Sequence, residues 1–508
     1  MLLQTLFIRL YILKITSSKI RKSTVRILFV TSEAHPLIKT GGLADVSGSL
    51  PAALRTLNAD VRILIPAYPS VLKKLLNIQY LCSVENLPLV GKANLVIGSM
   101  PDTGVPVMAI DCPTLYERDG GPYINTKGFD WEDNPIRFGV LSKVAAMLSD
   151  SSSPLKDWLP DIVHCNDWQS ALTPAYMKLL YPSPAKSLLS IHNLAFQGCY
   201  DASMVEKLSL PRSSFQINGL EFYGQLSFLK GGVFYSDSLS TVSPTYAKEI
   251  QTIEYGFGMQ GLLDLRGHEI RGILNGIDIN EWNPETDPHL VKNYSNARIT
   301  GKKAVKESLQ KQFQLQNDAN APLLGVVSRL THQKGLDLLL DIAPDLIKQG
   351  CQIVILGGGE AGLESSFKAL AMLYPTKVAV SIGYNESLSH QIMAGVDMFI
   401  MPSRFEPCGL NQLYGLRYGT PPIVTETGGL ADSVIDSNPE TLANLSATGF
   451  TMQEVSAQAL LVSVSRALEY YRNDKIWRQI QRNAMNIDVS WKHSAQAYLD
   501  LYANIATS

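Results

Sequence analysis

From Val25 onward, short apolar runs alternate with longer stretches whose apolar residues recur three and four positions apart. A strand buried on both faces requires the first pattern and a helix covering it requires the second, so the alternation predicts parallel sheets wrapped by helices. In the first half RILFV, VRILIPAY, VPVMAID, DIVHCND and SLLSIHN are predicted strands, and LADVSGSLPAALRTL and NPIRFGVLSKVAAMLSD predicted helices. After a polar interval from about Asn280 to Asn320, LLGVVSRL, CQIVILGGG, VAVSIGY, DMFIMPSR and PPIVTE form a second strand series, with GLDLLLDIAPDLIKQ, SLSHQIMAGV and GLNQLYGLRYG as helices. The stretch from Ser456 to Ser508 is predicted wholly helical. The expectation is α/β, two doubly wound sheets, with the chain passing from one to the other near residues 265–275.

Length agrees with two units: 508 residues exceed one ordinary core and suit two domains of about 200–250 residues. A formal charge of -2, with no basic block interleaved with aromatics after residue 26, argues against nucleic acid as a partner. The six cysteines lack CxxC spacing, which argues against a zinc site or a disulfide framework and fits a reducing compartment. Residues 1–24 stand apart, with Arg9, Lys14, Lys19, Arg21 and Lys22 and no acid before Glu33. Their apolar run is too short and too interrupted to cross a bilayer, leaving an organelle-targeting segment or upstream sequence from a misplaced start.

One hexapeptide, TGGLAD, occurs twice, at Thr40–Asp45 after Lys39 and at Thr427–Asp432 after Glu426. Each copy is predicted to follow a buried strand and open a helix, where free amides attract anions. In open α/β sheets ligands bind beyond the carboxyl ends of strands, so two facing domains would aim both turns into one cleft. Two segments match G-x-G-x-x-G. Gly256 to Gly261 lacks a preceding strand; Gly357 to Gly362 follows QIVIL and keeps a nicotinamide-dependent oxidoreductase in contention, although no acid ends the next strand. No phosphate-binding G-x-x-x-x-G-K-[ST] occurs.

The predicted strand ends collect Lys39, His164 and Asp167, His192 and Asn193, Arg329 and Lys334, and Glu406. A helix N-terminus contributes about 0.3–1 kcal/mol toward an anion and a charge-assisted hydrogen bond about 1.5–3 kcal/mol, so the cations decide whether a diphosphate is held. Arg329 can grip two oxygens in plane, while Lys334 and Lys39 act as mobile point charges. Two cations at the end of a buried strand also need a counter-charge.

KTGGLADV, DCPTLY with GGPY, HNLAFQG, TVSPTYAKEI, LNGID, VSRLTHQKGLD and SRFEPCGLNQLYGLRYG together resemble the bacterial glycogen synthase and plant starch synthase family of retaining glucosyltransferases, from about residue 26 to the C-terminus. The resemblance implies two facing Rossmann-like domains (a GT-B fold) with an interdomain active-site cleft. The domains would be 25–270, taking the acceptor, and 271–488, taking the nucleotide sugar, with 489–508 a helix crossing back. It implies glucose transfer from ADP-glucose to the 4-hydroxyl of an α-1,4-glucan, with no metal, no cofactor and no stable membrane insertion. The location would be cytoplasmic, or plastidial if the basic segment is a transit peptide.

By the same resemblance Lys39, Gly41, Gly42, Arg329 and Lys334 would bind the donor phosphates, with the Gly409 and Leu410 amides on the distal phosphate and Asn411 beside them. Tyr384 would stack on adenine. His192 would lie against the glucosyl ring, Asp45, Asp167, Asn193 and Asn275 would bond sugar or acceptor, and Glu406 would be the acid nearest the transferred glucose. Duller roles stand beside these: Glu406 pairing with Arg404 or capping the helix at Gly409, His192 as a core histidine, Asp167 as a helix N-cap. Gln260 stands where the family has Glu, Asn411 where it has Thr or Ser, and Tyr414 where sibling transferases carry a second Glu. A non-catalytic glucan-binding scaffold, a UDP-linked donor, and either glycogen or starch as product remain open.

Overall fold

The computed structural model describes residues 24–507, so the segment set apart at 1–24 lies, apart from Thr24, outside the described residues. Its larger sheet comprises β1 (Arg26–Val30), β2 (Asp60–Pro66), β3 (Leu76–Leu87), β4 (Gly91–Ser99), β5 (Pro106–Asp111), β6 (Ile162–Asn166), β7 (Lys186–Ile191), β11 (Ser238–Thr241) and β12 (Ile270–Gly272). Between β7 and β11 lies a small antiparallel sheet of β8 (Cys199–Tyr200), β9 (Glu221–Phe222) and β10 (Gln225–Ser227). A six-stranded sheet follows: β13 (Leu323–Val327), β14 (Gln352–Gly357), β15 (Val378–Ile382), β16 (Met398–Met401), β17 (Pro422–Thr425) and β18 (Phe450–Met452).

The large sheet has the order β12-β11-β7-β6-β1-β2-β5-β4-β3, and the second β15-β14-β13-β16-β17-β18. In both, the strand order reverses beside the first strand, between β1 and β6 and between β13 and β16, and a crevice opens there at the carboxyl ends. The continuous apolar runs account for the central strands: β6, β14, β16 and β17 are buried along their whole length. Ile27 of β1 lies in register with Val61 on one side and Ile162 on the other.

The helices that position the site are α1 (Gly42–Thr56), α2 (Asn134–Ser149), α3 (Pro244–Glu249), α4 (Leu336–Lys348), α5 (Glu386–Gly395), α6 (Asn411–Arg417) and α7 (Gly428–Ser433). α2 is buried on nearly every side rather than along one stripe; its Arg137 is satisfied by the carbonyls of Leu115 and Pro122 and by Asn134. The C-terminal stretch is helical, as three helices: α8 (Ala457–Tyr471), α9 (Asp474–Asn486) and α10 (Trp491–Thr507). Capping chemistry makes the first break, since the Asn473 side chain accepts from the Ile476 amide at 3.2 Å and starts α9 anew.

The apolar face of α10, including Ala495, Tyr498 and Tyr502, is buried in the core of the large sheet. The chain passes between the units twice, after β12 and again before α10. The two passages are joined, Ile277 N donating to Val489 O at 2.8 Å.

Candidate active site

The sharpest chemistry gathers where β13 and β16 end. Lys334 sits on a one-turn helix closed by Gly335 at φ +65, and a Cβ there would lie 1.9 Å from the Pro402 carbonyl. Glycine is what allows this loop to press against the end of β16. Lys334 Nζ consequently meets Glu406 Oε2 at 2.5 Å, and Ser403 Oγ donates to the same oxygen at 3.0 Å. Glu406 is buried, and its partner is Lys334 rather than Arg404, which grips Asp337 with two hydrogen bonds of 2.8 and 2.6 Å. Asn411 Nδ2 donates to Val327 O at 2.6 Å and ties the start of α6 to the end of β13. Val327, Ser328, Lys334, Ser403 and Asn411 line a recess there.

Arg329 reaches the same strand end but is exposed, with no ion pair or side-chain hydrogen bond among the described residues. The expectation that both cations need an internal counter-charge therefore holds for Lys334 alone; water solvates the Arg329 guanidinium. The amides of Gly409 and Leu410 donate to no protein acceptor among the described residues. Leu410 touches the first unit, since a Cβ on Gly42 would lie 3.6 Å from its Cδ1.

The two hexapeptides fill differently than expected. In the first copy Gly41 is extended, and the Thr40 amide and hydroxyl bind Glu33 Oε2 at 2.6 and 2.8 Å. In the second, Gly428 is left-handed at φ +43, and a Cβ there would strike the Glu406 carbonyl, so only glycine fits. Its amide and the Thr427 hydroxyl bind Glu249 Oε1 of α3, from the other unit, at 2.9 and 3.0 Å. Asp432 at the far end of α7 accepts from the Thr245 amide and hydroxyl at 2.9 and 2.7 Å. The second copy thus clasps the first unit and is not an open anion site; in the first, Glu33 takes the Thr40 and Gly41 amides, while the Gly42 amide donates to no protein acceptor among the described residues.

Lys39 extends to the seam between the units, 2.9 Å from Asp45 and 3.7 Å from Glu386, with its ammonium 6.0 Å from the exposed Tyr384 ring. Burial works against its charge, but Asp45 and Glu386 raise its pKa overall, while burial raises that of Asp45 despite Lys39. Glu386 leans on His390, which hydrogen-bonds Asp287 at 2.8 Å and stacks on Trp282 with ring centroids 3.8 Å apart. Burial favours the neutral ring, yet the hydrogen bonds to Asp287 and Glu386 prevail and carry the His390 pKa up to about 9.

On the first unit, Asp167 occupies φ +59 at the end of β6 and does not cap the following turn with its side chain. Its carboxylate accepts from the His192 and Asn193 amides at 3.3 and 3.4 Å, and burial, only partly offset by those bonds, pushes its pKa up to about 7. Burial holds His192 neutral, with a pKa of about 4. Because Asn166 spends its amide on the carbonyls of Val30 and His164, its oxygen is the acceptor for His192 Nε2–H at 3.0 Å. His192 Nδ1 is then an unprotonated acceptor. Asn275 is buried beside the Cys408 thiol, with its Oδ1 unpartnered. His164 does not join this group: it lies in the core, bonded to Tyr502 OH at 2.8 Å and Ser190 Oγ at 2.6 Å.

The glycines of Gly357–Gly362 serve the protein's own backbone. A Cβ at Gly357 would lie 1.8 Å from Ser328 O and one at Gly359 2.4 Å from Leu330 O, so they admit the loop that carries Arg329. No motif or spacing gives Asn166, Ser403, Glu33, Glu249 or Glu386 a role at the site. Asn166 sits between His164 and Asp167, and Glu386 two residues past Tyr384, so proximity to marked residues was the available signal.

Comparison with known proteins agrees with this architecture. Residues 26–265 match the family model of the starch synthase catalytic domain, and residues 307–484 that of glycosyl transferases group 1. A glycogen synthase of Nitrosomonas eutropha is 52% identical over 490 residues, covering 96% of this chain and 97% of that one; the Nitrosomonas europaea glycogen synthase is 50% identical over 491 residues, covering 96% and 99%. Among solved structures, the catalytic domain of starch synthase IV from Arabidopsis thaliana, bound to ADP and acarbose, aligns with a TM-score of 0.87 at 31% identity, covering 96% of this chain and all of that one. A sucrose-phosphate synthase from Thermosynechococcus elongatus shares the fold at TM-score 0.57 and 15% identity, over 95% of this chain and 100% of its own. Two doubly wound units meeting at their switch points, a lysine–glutamate pair in the crevice between them and near-complete alignment with named synthases lead to one assignment: the chain belongs to the glycogen synthase and starch synthase family and is a glucosyltransferase.

Proposed function

We propose that this glucosyltransferase moves glucose from ADP-glucose to the non-reducing 4-hydroxyl of an α-1,4-glucan with retention of configuration, in the crevice between β13 and β16 and the facing ends of β1 and β6. The observation that carries the reading is the Lys334–Glu406 pair beside an exposed Arg329, with Leu410 against Gly42 across the seam.

Departure of the nucleoside diphosphate concentrates negative charge on its leaving oxygen, and cations fixed there lower the barrier because they act most strongly in the transition state. Arg329 and Lys334 supply those charges, and Lys39 does so from the other unit once it exchanges Glu386 for phosphate. The unoccupied Gly409 and Leu410 amides suit the distal phosphate, with Asn411 holding their loop to β13. Tyr384 offers an open ring face to adenine.

As the anomeric carbon turns cation-like, the buried Glu406 carboxylate is the negative charge nearest it, and Lys334 and Ser403 hold that carboxylate in place. Neutral His192 accepts a sugar hydroxyl at Nδ1, while Asp45, Asp167, Asn193 and Asn275 orient sugar and acceptor. No metal or other cofactor enters this scheme. The residues named here recognise a diphosphate without distinguishing its base, and the exposed Tyr384 face is what supports adenine.

Labelled glucose incorporation into glycogen from ADP-glucose, with UDP-glucose alongside, tests the reading. Arg329→Ala and Lys334→Ala are each expected to lower kcat/KM for the donor about 100-fold or more. Turnover of both variants within twofold of wild type would sink the phosphate assignment, and no incorporation by the wild type would leave a glucan-binding scaffold.

A further inference from the structure

At the mouth of the crevice lies an aromatic feature that the chemistry above leaves unused. Tyr223 and Gly224 form the two-residue turn between β9 and β10, both at positive φ (+48 and +80), and Tyr223 is 79% exposed. Phe257, on the loop after α3, is also left-handed at φ +47 and 39% exposed. Left-handed backbone is rarely populated by bulky aromatic residues, so at two neighbouring places the chain holds a ring outward against its own preference.

These places form one surface. Phe222 and Tyr223 pack edge to face with centroids 4.7 Å apart, and a Cβ on Gly258 would lie 3.1 Å from both rings, so the Phe257 loop rests on the turn. Gln197 Nε2 donates to the Phe257 carbonyl at 3.0 Å, tying that loop to the segment that follows His192. On its other side the Phe257 ring lies 5.6 Å from Phe405, the residue before Glu406. Two aromatic pairs, Phe222 with Tyr223 and Phe257 with Phe405, are therefore brought together by the Gly258 loop next to the segment that carries Glu406.

We propose that Tyr223 and Phe257 form an outer subsite for the α-1,4-glucan acceptor, holding glucosyl units a few residues behind the chain end that receives glucose. The proposal deepens the acceptor side of the proposed function and rests on it. Pyranose rings present apolar C–H faces that pack on aromatic rings, with hydroxyls at the edge free to bond groups such as Gln225 and Glu221. A neutral glucan needs no charge, and these rings offer none. A protein partner fits less well, because a stable interface needs about 800 Å² on each side and this shelf is two rings wide. Continuity with the crevice is what selects the glucan: a chain whose end reaches Glu406 must leave along some wall, and this wall is lined with rings.

The experiment compares wild type with Tyr223→Ala, Phe257→Ala and the conservative Tyr223→Phe, using glycogen and maltoheptaose against maltotriose as acceptors. Each alanine variant is expected to raise KM for glycogen and maltoheptaose about tenfold, to leave kcat and the ADP-glucose KM unchanged and to affect maltotriose little. Tyr223→Phe should retain wild-type KM. Retardation in glycogen-containing native gels reads binding without turnover and should fall in the alanine variants. Unchanged acceptor KM and retardation in both alanine variants would overturn the subsite, as would an equal rise in the ADP-glucose KM, which would make these rings part of cleft closure. A wild type that is retarded by glycogen but transfers no glucose would instead defeat the proposed function and leave the subsite standing.

Discussion

Asp167 shows how burial and backbone geometry combine at a single residue. Its left-handed backbone turns the carboxylate back onto the amides of His192 and Asn193, inside a pocket that favours the protonated acid and brings its pKa up to about 7. The folded value lies above the unfolded one of about 3.9, so the native state keeps a proton that the unfolded chain has already lost. Stability from this residue is highest below about pH 4 and declines as pH rises through about 7. Asp167→Asn should therefore raise the apparent Tm more at pH 8 than at pH 5, measured by calorimetry, and an equal change at both would show the carboxyl is ordinary. Legibility at this scale was uneven. Lys334 and Arg329 stood out because cations rarely end a buried strand, whereas the capping role envisaged for Asp167 failed because its carboxylate found donors on the neighbouring strand. Sequence spacing carries no information about which of two neighbours, one in the chain and one across the sheet, a short acid will choose.

Among elements, the buried parallel strands were readable because burial on both faces leaves an uninterrupted apolar signature. The β3–β4 hairpin was not, since β3 is exposed along its first half and its alternation is diluted by polar residues. The second hexapeptide was placed at the right turn and given the wrong occupant. Its Gly428 amide needs an acceptor, and only tertiary structure determines that the Glu249 carboxylate is the one that arrives. The α3–α7 clasp is thus a contact between units made of one half-buried and one exposed carboxylate. Glu249→Ala should weaken it, and small-angle scattering of the unliganded protein should show a larger radius of gyration, together with a two- to fivefold rise in donor KM, an effect of about 0.5–1 kcal/mol. An unchanged radius would mean that other contacts alone keep the units together.

At the scale of the molecule, the helical C-terminal stretch was legible and its return to the first core followed only from the family resemblance; neither spacing nor composition indicates which core a terminal helix joins. Here α10 threads Tyr502 against His164 in the middle of the large sheet, and burial holds that histidine neutral at a pKa of about 3. The passages between the units touch at Gly276, where a Cβ would lie 2.6 Å from the backbone of Ser490 and Trp491. Gly276→Ala should separate the two segments, costing about 1–3 kcal/mol of stability and lowering kcat more than it changes acceptor affinity; wild-type kcat and Tm would refute this. Two chain crossings stitched side by side are arranged like paired pins of a door. Any swing of one half against the other would turn about that line and carry the lysine of one half along a fixed path over the other.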